Sequence, residues 1–185
     1  MLCDIWAIVA RTPGVAAVLA AAEPGTFPVS AKEENIWLQG IGELGTRIEN
    51  VLRRGLRDAS AAIALGADSP LLTTFHLEEA LQQLKDGDAV IGPSRDGGFY
   101  LLGLRHCPVG LLAGVPWSSA ETKTRTEERL YSYGMTVRET PTLPDVDTIA
   151  DLLVLYNELK SKPREAAPAT RHWFVENRFR LGKLE

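Results

Sequence analysis

Three stretches of the chain hold residues whose types and spacing suit chemistry. The first is Asp68, which follows the apolar run Ser60–Ala67 and precedes Ser69-Pro70, so its carboxylate leaves the end of a buried strand. In open α/β sheets, ligands sit in the crevice outside the strand ends. A carboxylate there suits a hard divalent cation, which in turn holds a diphosphate. The same residue also suits a plain hydrogen-bonding role in a turn before Pro70. The second stretch is Asp145-Val146-Asp147-Thr148, just ahead of a helical pattern. Aspartate is favoured at helix N-termini, which accounts for one acid. Alternate residues of an extended segment share a face, so the two acids do not both cap the helix. One carboxylate from each loop, converging on a single Mg²⁺, accounts for both stretches. The third is Pro93-Ser94-Arg95-Asp96-Gly97-Gly98, a glycine-bearing turn between apolar runs. Its glycines let backbone N–H groups approach a ligand, and Arg95 suits a phosphate. An ordinary hairpin with an Asp-Gly turn reads equally well.

The remaining reactive residues form no pattern. His76, His106 and His172 are scattered and read as structural or exposed, and Cys3 and Cys107 have no ligand spacing, which argues against structural zinc and a disulfide framework. No G-x-S-x-G, P-loop or G-x-G-x-x-G occurs, so no motif supports a hydrolase elbow, a Walker site or a Rossmann site.

The elements that must position these residues alternate β-rich runs with helical periodicity, the pattern of a sheet covered by helices. Asp4–Ala10 reads as a strand, a short helix starts at Pro13, and Asn35–Gln39 is a short strand. Glu43–Asp58 is a helix with Leu44, Ile48, Val51, Leu52 and Leu56 on one stripe. Ser60–Ala67 reads as a central strand buried on both faces, beside the strand Ala89–Gly92, so that Asp68 and the Asp145/Asp147 loop open at the same edge. His76–Lys85 is a helix, Gly98–Leu104 a strand, Ser118–Tyr133 a polar helix and Met135–Glu139 a strand. Thr148–Lys160 is a helix with Thr148-x-x-Asp151 in capping-box spacing and Ile149, Leu152, Leu153, Tyr156 and Leu159 on its inner face. Residues 1–162 thus form one α/β unit, and 163–185 a linker and last helix packed on it.

With 45% apolar and 24% charged residues among 185, the chain has the composition of a globular domain with a sizeable core. A net charge of −4 and no long basic run exclude wrapping of nucleic acid. No signal-like start or long apolar stretch appears, so no membrane span is expected, and a reducing cytoplasm is the expected compartment.

In this order and spacing, several segments resemble one family. They are Leu38-Gln39-Gly40-x-Gly42-Glu43-Leu44-Gly45-x-Arg47, Gly66-Ala67-Asp68-Ser69-Pro70-Leu71-Leu72, Gly92-Pro93-x-x-Asp96-Gly97-Gly98-Phe99-Tyr100, Pro116-Trp117-Ser118 with Thr126, and Asp145-Val146-Asp147-Thr148. Over about Trp37–Leu155 the chain resembles the DUF2064 family, also described as radical-SAM/selenodomain-associated transferase 1 and similar to 2-phospho-L-lactate guanylyltransferase. The resemblance implies a GT-A-like, nucleotide-diphospho-sugar transferase fold: a three-layer α/β/α sandwich around a mostly parallel mixed sheet. It implies a Mg²⁺- or Mn²⁺-dependent nucleotidyltransferase or glycosyltransferase, acting on a nucleotide or nucleotide-sugar and an acceptor. By position, Asp68 is the metal-binding and catalytic acid, and Asp147 or its neighbour Asp145 is the acid that closes the metal site. Asp96 joins Asp68 in the catalytic set, and Arg95, Gly97, Gly98, Trp117 and Ser118 bind substrate. Family members open with a strand and a basic loop, K-x-P-x-x-G-x-x-K-T-R-L. Here no Lys precedes Lys32 and Asp4–Ala10 takes the place of the second strand. The expectation is therefore a fold lacking the first β-α unit, a weakly bound metal, impaired nucleotide binding and a homodimer covering the open sheet edge. The alternative is a non-catalytic GT-A-like domain acting through oligomerisation or partner binding.

Overall fold

The computed structural model describes residues 1–177. Its elements are α1 (Leu2–Arg11), β1 (Leu19–Ala21), a 3-10 turn (Glu33–Asn35), β2 (Ile36–Leu38), α2 (Leu44–Gly55), β3 (Ala62–Leu65), α3 (Thr74–Asp86), β4 (Ala89–Pro93), β5 (Phe99–Leu104), α4 (Thr122–Ser132), β6 (Val137–Glu139), α5 (Ile149–Lys160) and α6 (Pro168–Glu176). Strands β3, β5, β4 and β6 form one sheet in that order, and β1 and β2 pair in a second. The architecture is the expected mixed α/β one. Its pairings divide evenly among the described residues: β1–β2 and β4–β6 are parallel, β3–β5 and β4–β5 antiparallel.

Alternation along β4 and β5 sets the layers, because successive side chains of a strand point to opposite faces. Val90 and Leu101 face a core with Ile5 and Ile8 of α1 and Leu77, Ala80 and Leu84 of α3. Ala89, Ile91, Leu102 and Leu104 face the opposite core, with Leu52 of α2 and Leu130 of α4. Gly103 lets α3 approach the sheet, since a Cβ there would lie 2.6 Å from Val90 and 3.0 Å from Leu84. A third cluster joins α5 and α6 through Leu155, Leu159 and Phe174.

Four sequence readings are corrected. Asp4–Ala10 is helical: Ile5 and Ile8 are buried with Val9 partly so, a three-to-four spacing that the β-branched composition conceals. Pro13 follows α1 in a turn instead of starting a helix, and Leu19 begins β1. Ser60–Ala67 supplies an edge strand whose residues are half-buried, and β5 lies between it and β4, so the two expected neighbours are separated. Ile149 is exposed, whereas Leu155 and Leu159 carry the buried face of α5.

Buried Asp4 explains why a charge interrupts the apolar face of α1. Its carboxylate accepts the N–H groups of Ala169 (2.7 Å) and Thr170 (2.9 Å) and the Thr170 hydroxyl (2.6 Å). These are orphan donors of the first turn of α6, so α1 caps a helix 165 residues away.

Candidate functional site

The parallel ladder of β4 and β6 delivers the two late acids to the hairpin. Beyond β6 the chain keeps running along β4: the Thr140 N–H donates to the Ile91 carbonyl (3.0 Å) and the Leu143 N–H to the Pro93 carbonyl (3.0 Å). Ser94 and Leu143 form a last parallel bridge, which draws Pro144–Asp147 beside the turn Ser94–Gly98. Tyr100 fastens the same segment to β5, since its hydroxyl donates to the Pro141 carbonyl (3.1 Å) and pairs with Thr140 Oγ1 (2.8 Å).

Thr148 then starts α5. Its hydroxyl accepts the Asp151 N–H at 3.2 Å, while the Asp151 carboxylate accepts the Thr148 N–H at 2.9 Å, completing the expected capping box. The capping role is thereby filled, and Asp145 and Asp147 remain available. In the hairpin, Asp96 accepts the Ser94 hydroxyl (2.5 Å) and the Gly98 N–H (2.8 Å). One carboxylate oxygen from each of Asp96, Asp145 and Asp147 lies within 4.8 Å of the others.

Asp68 approaches from the opposite side of β5. The Gly66 N–H donates to the Tyr100 carbonyl (2.9 Å), extending the β3–β5 ladder, and Asp68 follows. Its carboxyl is shifted up by burial, and further by the charges of Asp147 and Asp96, against the favourable pull of its own backbone N–H. The acid therefore stands within electrostatic reach of the cluster. Burial also pushes Asp145 up, to about 6, reinforced by the charge of Asp96 and hydrogen bonding to it. For Asp96, burial pushes upward but is outweighed by the Ser94 hydroxyl, the Gly98 N–H and Asp145, so this carboxyl is held below its ordinary value. Asp96 and Asp145 are thus shifted in opposite directions by one another's neighbourhood.

The three acids open into a cleft of about 330 Å³, which α5 walls with Val154 and Leu155. Arg95 reaches across it to Glu158 in a 2.9 Å ion pair, a partner that reads in sequence as an ordinary charge on the surface of a helix. Trp117 is not among the residues lining the cleft: half-buried, it packs against the α2/α4-side core, edge-on to Phe99 with ring centroids 6.0 Å apart. Ser118 is exposed, with φ 54° at the corner before α4. Gly97 has φ 92°, its carbonyl accepts the Lys123 N–H at 3.0 Å, and a Cβ would collide with the Ala120 backbone. Gly97→Ala should therefore lower stability by about 2 kcal/mol through strain and overpacking, measured as a shifted urea midpoint. Gly98→Ala, whose Cβ would meet only the Asp96 and Ser94 side-chain oxygens at 3.1 Å, should cost less.

The donor set fits a hard divalent cation. Its ligands are all oxygens, as suits Mg²⁺ and Mn²⁺, and burial together with like charge raises Asp68 and Asp145, a cost that a cation would relieve. No helix among the described residues is long and apolar enough to cross a membrane.

The family model for DUF2064, described as an uncharacterised protein conserved in bacteria, matches residues 6–119. Among solved structures, the chain is similar to a proposed nucleotide-diphospho-sugar transferase from Desulfovibrio desulfuricans G20. The TM-score is 0.82 at 26% sequence identity, over 97% of this chain and 81% of that one. No curated protein matches. The likeness identifies the architecture as the nucleotide-diphospho-sugar transferase fold.

Proposed function

Because the chain belongs to the DUF2064 family, we propose that its acidic crevice is the active site of a transferase that takes a nucleotide or nucleotide-sugar as donor and depends on a divalent cation. The observation that carries this reading is the convergence of Asp96, Asp145 and Asp147 within 4.8 Å, with Asp68 near enough to feel two of them. The similar Desulfovibrio protein bears the name of a nucleotide-diphospho-sugar transferase.

Asp68, Asp145 and Asp147 would hold the cation, with Asp96 in contact with them. When bound, the cation neutralises the donor's diphosphate and the charge that develops on the leaving group. The chain's own residues position the partners. The Ser94 hydroxyl and the Gly98 N–H fix Asp96, whose depressed carboxyl stays ionised at neutral pH and can accept a proton from an acceptor hydroxyl. Half-buried Gly97 and Gly98, next to Asp96 in the hairpin, would form the acceptor side of the crevice. Arg95 is free to turn to a phosphate once it releases Glu158, a surface pair that contributes only about 0–1 kcal/mol.

A thermal-shift panel of nucleoside diphosphates and nucleotide-sugars, with and without Mn²⁺, tests the reading. A ligand at about 100 times its Kd stabilises by ~2.7 kcal/mol. At least one nucleotide should raise Tm only when Mn²⁺ is present, and Asp147→Asn should remove the effect. Shifts that are indifferent to Mn²⁺, or unchanged in Asp147→Asn, would overturn it.

A further inference from the structure

Ser69, the residue after Asp68, is 1% exposed, and its hydroxyl oxygen is buried without a hydrogen-bond partner among the described residues. A hydroxyl in that state is less favourable than the alanine that would replace it, because its desolvation is not offset. Unpaired buried polar groups are rare enough in folded proteins for each to require a physical reason. Its backbone supplies none: the Ser69 carbonyl accepts the Leu72 N–H at 3.1 Å, a role that any residue type could fill.

The neighbouring acceptor is the Asp68 carboxylate. Ser69 is close enough to favour its ionised form, yet the pair lies outside hydrogen-bond geometry. Asp68 folds back toward the strand instead. One of its carboxylate oxygens occupies the space beside Gly66, where a Cβ would lie only 2.7 Å away. That folded-back carboxylate lies outside the group formed by Asp96, Asp145 and Asp147, though within reach of the charges of Asp147 and Asp96. Gly66, lacking a Cβ, gives the carboxylate its present place, and Ser69 holds a donor that this place does not engage.

We propose that Ser69 is the positioning residue of Asp68: its buried hydroxyl donates to one carboxylate oxygen when the acid turns toward the other three carboxylates, leaving the second oxygen for a divalent cation. Ser69 touches neither cation nor substrate. It acts through Asp68, as groups behind metal ligands do when they fix orientation and raise affinity. The inference rests on the reading of Asp68 as a cation-facing acid.

The test compares Ser69→Ala with the unaltered chain in two measurements: urea unfolding without metal, and Mn²⁺ titration by calorimetry at neutral pH. The alanine variant should unfold at the same or a slightly higher midpoint, since no hydrogen bond is lost in the resting state. Its Mn²⁺ affinity should fall roughly tenfold. Ser69→Cys, which keeps the volume and a weak donor, should bind with intermediate affinity. A lower midpoint, or failure of the alanine variant to fold, would show a structural role and overturn the proposal. Unchanged Mn²⁺ affinity in Ser69→Ala, with the parent chain binding, would overturn the proposal alone. No Mn²⁺ binding by the parent chain would overturn the cation reading and this inference with it.

Discussion

Replacing Asp4 with alanine should lower stability by about 3 kcal/mol and Tm by roughly 6–12 °C, the range for a chain of this size. The loss comes from three charge-assisted hydrogen bonds to α6, at 2.6–2.9 Å, two of them to amides that would remain buried or half-buried with no other partner. Such bonds are not additive, so the estimate stays below the sum of their individual values. The Asp4→Asn variant, with one acceptor oxygen, should recover about half. Because α6 is held at its start by Asp4 and packed on α5 through Phe174, losing the cap should also loosen the connection at 161–167. Limited proteolysis should then cut the alanine variant in that segment well before it cuts the parent chain. Equal cutting and an unchanged Tm would show that the cap is dispensable.

Asp145→Asn should move stability and cation binding in opposite directions. In the folded chain Asp145 titrates near 6, against about 3.9 for an unperturbed aspartate. Between those values the folded state binds more protons than the unfolded one, so stability falls as pH rises through the window and the loss is complete above about pH 6. The side chain is partly solvated and Asp96 shifts the opposite way, which leaves a net cost of roughly 1 kcal/mol after screening. Asparagine removes that cost: without metal, Tm at pH 7.5 should rise by about 2–4 °C, and the gain should vanish near pH 4. With Mn²⁺ the order reverses. Protons compete with a cation for Asp145 only below about pH 6, so the parent chain should gain stability from Mn²⁺ at pH 7.5 and little at pH 5. Removing one carboxylate of the set should weaken Mn²⁺ binding on the order of 100-fold. A variant destabilised without metal, or one that binds Mn²⁺ as well as the parent, would identify Asp145 as a structural acid.

Local signals in the sequence located these acids better than they located the strands. The Thr148-x-x-Asp151 spacing marked the cap, and the cap explains why Asp145 and Asp147 are available for other work. The Asp96-Gly97 turn marked the hairpin that delivers the third carboxylate. Strand order was not legible, because apolar continuity reports burial and not neighbours: β5 returns antiparallel and inserts between β3 and β4. α1 was misread because Ile5, Ile8 and Val9 favour strands intrinsically, while the reason for a charge at position 4 lies in α6. The Arg95–Glu158 pair spans 63 residues, and Trp117, grouped with the substrate-binding residues in sequence, packs against a core. The roles of Gly66 and Ser69 depend on a close approach and an orphaned hydroxyl, which only coordinates reveal.

The proposed cation, held by Asp68, Asp145 and Asp147 beside Asp96, anchors a nucleotide diphosphate. Anomalous diffraction at the manganese edge, from crystals grown with Mn²⁺ and a nucleotide that raises Tm, tests it most directly. One strong peak is expected among these side chains, with oxygens of Asp147 and at least one of Asp68 and Asp145 at roughly 2.0–2.6 Å and the diphosphate on its open side. Nucleotide bound elsewhere, or Mn²⁺ absent from the crevice while nucleotide is present, would contradict it.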